Sequence, residues 1–155
     1  MLLRKPVLAA ALVAAALATA AVAVASGTQH QVMSRSFARN ADANCAALGA
    51  LTAPLGNPKS FSGIAHKLSI AVPAFTMALR AQAELVTFDT PAGDGALVSK
   101  WMAAMSNYLY EMKNLQAGAV AGCACIVTPT NQKLATIGAQ AASLSKQLGM
   151  HTCFQ

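Results

Sequence analysis

The sequence predicts an all-α fold: an up-down-up-down four-helix bundle, kinked in its second helix at Pro73 and clasped by a disulfide. Three observations predict it. Apolar residues recur at helical steps through four segments after residue 35. Clusters rich in Pro, Gly and Asp separate those segments. Alternating stretches of the kind that mark a half-buried strand are almost wholly missing, with only "CACIVT" (Cys123 to Thr128) able to be briefly extended. Amphipathic helices joined by short connectors bury their apolar stripes against one another, and an up-down bundle does this with the least connecting chain.

The first helix is expected over about Ser36 to Leu51, rich in Ala and Leu, and ends before "TAPLGNPKS", where Pro54, Gly56 and Pro58 stop it. The second starts with Ser60 or Ser62 as N-cap and keeps Ile64, Leu68, Phe75, Leu79 and Val86 on one face. Pro73 lies inside it and removes one backbone donor, so a kink or break is expected near Val72. The turn cluster "DTPAGDG" follows, with Asp94 available to cap a third helix over about Gly95 to Ala117. Its apolar side carries Leu97, Trp101, Met105, Tyr108, Met112 and Leu115, while Tyr110 should face out. The fourth helix is expected to begin at "TPTNQK", capped by Thr128 or Thr130 with Pro129 in the first turn. Leu134, Ile137, Ala141, Leu144 and Leu148 form its seam, and Gly149 its C-terminal cap.

This topology constrains the cysteines. With helices one and three running up, the connector holding Cys123 and Cys125 sits at the top and Cys153 at the bottom. A helix from Thr130 to Leu148 rises about 28 Å, whereas the step from Gly149 to Cys153 reaches only about 13 Å. Cys45, about 14 Å up from Ser36, lies within that reach. A bond from Cys45 to Cys153 would close nearly the whole domain and remove roughly 4 to 5 kcal/mol of unfolded-chain entropy. Cys123 and Cys125 then have several fates: a local bond bent through Ala124, a partner among the distant cysteines, or free, redox-active or intermolecular thiols. The nearest charges in sequence, Lys113 and Lys133, are not adjacent, and this weighs against thiol activation for redox chemistry.

Ahead of these helices the chain opens with the basic pair Arg4 and Lys5, an apolar run from Val7 to Ala25 and a polar switch at Ser26. This is the form of a secretory signal, with Ala23, Val24 and Ala25 giving the small-x-small cleavage pattern. Residues 1–25 are expected to be the signal, 26–35 a polar tether and 36–155 the helical domain. An uncleaved anchor is the alternative, since the run approaches the roughly 20 residues that span a bilayer. Either way the protein is expected outside the cytoplasm, secreted or held at the cell envelope. Loss of Arg4 and Lys5 takes the eleven basic residues to nine against five acidic, a formal net charge of +4. The nine are spread singly without interleaved aromatics, which argues against nucleic-acid binding, where phosphate neutralisation is local.

The segments "ADANCAAL" around Cys45, "TPAGDGALVSKW" leading to Trp101 and "LGMHTC" ending at Cys153 resemble a group of small secreted helical proteins of high-GC Gram-positive bacteria. That group carries A-N-x-x-C or a close variant at the first cysteine and L-G-x-x-x-C at the last. The resemblance spans nearly the whole chain after the signal, implies a clasp between Cys45 and Cys153, and brings no activity with it. "CAC" departs from the group's pattern. The alanine-heavy signal and the scarcity of Ile and Lys fit a GC-rich bacterial genome. The layout of one cysteine near each end is also similar to that of secreted mycobacterial haem-carrying helical proteins.

Chemistry-bearing patterns are sparse. His30, His66 and His151 form no i, i+4 pair, so no metal site is expected. Met77, Met102, Met105 and Met112 offer soft sulfur, but their spacing suits core filling better than copper. No nucleophile elbow, zinc-protease helix or phosphate loop is present. The chain is therefore expected to be non-enzymatic and without cofactor, binding an unidentified protein or envelope component or acting by structural presence. The alternative is a carrier of an apolar ligand, haem or lipid, between the second and third helices, with His66, Met105 and Tyr108 as candidate contacts.

Overall fold

The computed structural model describes residues 37–89 and 94–153. The expected signal and tether lie outside the described residues. Four helices pack together: α1 (37–52), α2 (Phe61–Asp89), α3 (Gly95–Val120) and α4 (Ala124–Gln147), with a short 3₁₀ turn, Ala53–Leu55, after α1. No strand occurs among the described residues. The all-α, disulfide-clasped bundle expected from the sequence is thus the observed fold class.

Ser60 caps α2 as expected, its Oγ accepting from the Gly63 N–H at 3.1 Å. Pro73 does not break the helix, which continues without interruption to Asp89. The lost hydrogen bond would have gone to the Ser69 carbonyl. Both residues are exposed, so water replaces the missing donor. Asp94 stands at the N-cap of α3, its carbonyl accepting from the Val98 N–H at 2.9 Å.

The largest departure from expectation is the start of α4. The helix begins at Ala124 with Cys123 as N-cap, so Thr128, Pro129 and Thr130 lie within it and "CACIVT" is helical after its first residue. Two features explain this. Gly122 takes φ +65°, and the Cys123 N–H donates to the Gly118 carbonyl at 3.0 Å. This closure ends α3 at Val120 and reverses the chain in about two residues. Pro129, meanwhile, lies on an exposed face together with Cys125, whose carbonyl has no helical donor opposite the ring but is on the solvent side. Gly149, φ +74°, ends α4 in the same manner, with the Met150 N–H on the Ser145 carbonyl at 2.9 Å.

Helix α3 packs against both α2 and α4. It therefore buries more than one stripe: beside Trp101, Met105, Met112 and Leu115 it also buries Val98, Ala104, Leu109 and Ala119. Its small residues set the distance to α4. A Cβ added at Gly118 would lie 2.6 Å from Cγ2 of Ile126, so hydrogen is the largest group that fits there. At the other end of the bundle, Phe37 meets Trp101 edge to face at 5.8 Å, and the Trp101 Nε1–H donates to the Ser145 Oγ at 2.9 Å. Gln82 is buried beside them and donates to the Phe37 carbonyl at 3.3 Å. These bonds tie α1, α2, α3 and α4 to one another without leaving a buried polar side chain unsatisfied among the described residues.

Candidate functional site: an apolar cleft between two disulfides

Because α1 stops at residue 52 and the chain then turns through Pro54 and Gly56, its described residues cover only part of the helices beside it. The uncovered interior forms a partly open cleft of about 740 Å³. Leu48 of α1, Leu68 and Phe75 of α2, Met112 and Leu115 of α3, and Leu134 of α4 supply its apolar wall. Ala71, Ala135 and Gly138 also line it, and their small side chains leave the volume open. Thr52, Asn57 and Asn131 add polar atoms, and Lys67 is the one charged residue among the lining. Its Nζ donates to the Gly56 carbonyl, which holds the ammonium beside the turn after α1. The volume falls in the range of sites that enclose a small molecule, and an apolar wall with few polar groups is their usual composition.

The residues expected as ligand contacts are not gathered in this cleft. Tyr108 lines it, packed at 5.8 Å from Phe75, and burial raises its phenol above the ordinary range. Met105 is buried in the core and borders only a separate cavity of about 20 Å³ near Trp101. His66 is exposed on α2 and lines neither cavity. Of the residues that do build the cleft, Leu68, Leu115 and Leu134 were visible in the sequence only as parts of helix stripes, and Lys67 only as one of the scattered basic residues. Spacing places them on inward faces but says nothing of where a neighbouring helix stops short.

All four cysteines are paired. Cys45 bonds Cys153 across 108 residues, as the reach of the last segment predicts, with Cα atoms 5.2 Å apart. Asp42 supports this junction: its carboxylate accepts from the backbone N–H of His151 at 2.8 Å and of Thr152 at 2.7 Å. Partial burial pushes the Asp42 carboxyl upward, but the N–H groups of His151, Thr152 and Cys153 outweigh it and hold the group below its ordinary value. Cys123 and Cys125 bond each other, with Cα atoms also 5.2 Å apart, across the N-cap and first turn of α4. Tyr110 faces out, as its position predicts.

Glu111 is the buried acid of α3, held by Asn114 at 3.2 Å and by Lys133 of α4 at 3.4 Å. No cluster of three His, Cys, Asp or Glu suited to a metal ion occurs among the described residues. No described helix is long and apolar enough to cross a membrane. The chain matches no protein-family model, no curated protein and no solved structure.

Proposed function

We propose that this protein is an exported carrier of a single-chain lipid, which it holds by the acyl chain in the cleft between its helices. The observation that carries this reading is the cleft itself: about 740 Å³ walled by aliphatic and aromatic side chains. Each methylene moved from water into such a wall contributes about 0.8 kcal/mol. Lys67, the charged residue of the lining, would pair with an anionic headgroup. Lipid is favoured over haem because the lining contains no histidine. Export is supported by the apolar run after Arg4 and Lys5 and by the pairing of all four cysteines, which persists in oxidising compartments. The reading assigns no catalysis and no resident cofactor.

Extraction of the purified protein, followed by titration with a fluorescent fatty acid, tests the reading. Saturable binding at one site is expected. Ala135→Trp, which fills the cleft from α4, should weaken it at least tenfold while leaving the helical content unchanged. Lys67→Glu should weaken the acid far more than the matching alcohol. Absence of saturable binding by the wild-type protein would contradict the reading.

A further inference from the structure

The bond between Cys123 and Cys125 is chemically conspicuous because the fold has so little structural need of it. It spans one residue, in a turn already fixed by Gly122 and by the Cys123 N–H bond to Gly118. Cys125 is exposed and Cys123 is half-buried. Exposed apolar side chains flank the pair in the chain, with Val120 73 % exposed and Ile126 40 %, and Phe61 is 37 % exposed. Phe61 belongs to this rim, since a Cβ added at Gly122 would sit 3.8 Å from its Cδ2.

We infer that the Cys123–Cys125 bond is a thiol–disulfide exchange site, and that its apolar rim docks an unfolded, thiol-bearing polypeptide. A polypeptide partner is favoured because the one functional group on this surface reacts with thiols, and the residues around it fit apolar side chains that a folded protein would hide. A partner thiolate attacks the Sγ of exposed Cys125. The Cys123–Cys125 bond breaks and its electron pair leaves on the Sγ of Cys123. That sulfur belongs to Cys123, the N-cap residue of α4, where the positive end of the helix favours a thiolate and makes it a better leaving group. A second partner thiolate then attacks the partner sulfur of the mixed disulfide and releases Cys125. The partner is oxidised by two electrons to a disulfide. The protein is left as the Cys123/Cys125 dithiol, which takes up the two protons the partner thiols gave. The fold supplies the stabilising influence that sequence spacing lacked, where Lys113 and Lys133 were the nearest charges.

The test uses the secreted protein with all four cysteines, equilibrated in glutathione buffers, alkylated and mapped by peptide mass spectrometry. Cys123–Cys125 should open at a ratio of reduced to oxidised glutathione at least tenfold more oxidising than the one that opens Cys45–Cys153. In a second arm the protein oxidises synthetic dithiol peptides with apolar or charged flanks. The apolar peptide should react at least tenfold faster, and Val120→Lys, at a side chain that touches little, should reduce that preference severalfold. Simultaneous opening of the two bonds, or equal rates from a Cys123→Ala/Cys125→Ala variant, would overturn the inference. An unchanged preference in Val120→Lys would overturn the docking rim.

Discussion

The two disulfides are alike in Cα separation and opposite in what they constrain. Cys45–Cys153 joins the first described helix to the segment after the last, and Cys153 is only 4 % exposed. Cys123–Cys125 joins residues that the start of α4 already holds together, in a turn open to solvent. A crosslink stabilises chiefly by limiting the unfolded chain, so the value of a bond rises with the length it closes. The long bond therefore holds the fold together, whereas the short one is free to serve the exchange proposed for it.

The largest expected effect comes from removing each bond in turn. Cys45→Ser/Cys153→Ser should lower unfolding free energy in urea by about 5 kcal/mol, against about 1 kcal/mol for Cys123→Ala/Cys125→Ala. Equal losses would break the comparison. The bonded ends can then be probed without touching sulfur. At the reactive end, Gly118→Ala forces a Cβ into Ile126 and should cost roughly 1–3 kcal/mol by overpacking, measured as a lower melting temperature. At the clasped end, Ser145→Ala leaves the buried Trp101 Nε1–H without its acceptor and should cost about 1–3 kcal/mol, with a changed tryptophan emission.

The smallest effect is a pH dependence at the clasp. Asp42 is held below its ordinary value of 3.8 in the folded chain. Its stabilising contribution is therefore complete above that value and is lost as pH falls through the lower folded value. Asp42→Asn should lower stability near neutrality and flatten its decline below about pH 4, so that variant and wild type converge in acid. Acid titration of unfolding by circular dichroism measures it.

Much of the fold was legible because periodicity and breakers report local physics. The stripes through Leu68 and Phe75, through Trp101 and Met112, and through Leu134 and Leu144 lie inside, and Ser60, Asp94 and Gly149 stand at the helix ends expected of them. The start of α4 was not legible. Pro129 and the threonines around it carry a strong initiation signal, and only the three-dimensional turn at Gly122 shows that the helix begins earlier. The cleft was hidden for a related reason: it arises where α1 stops, at residue 52, beside helices that continue, which no single segment encodes. His66 and Met105 were chosen by chemistry alone, and the fold puts one on the surface and the other in the packed core.

The bundle thus offers two apolar surfaces to a ligand, the cleft lined by Leu68 and Leu134 and the rim at Val120 and Ile126. Isotope-filtered nuclear Overhauser spectroscopy with a labelled fatty acid tells them apart directly. The carrier reading predicts cross-peaks from the acyl chain to the methyl groups of Leu68, Met112 and Leu134. Cross-peaks confined to Val120 and Ile126, or none at a saturating ratio, would contradict it.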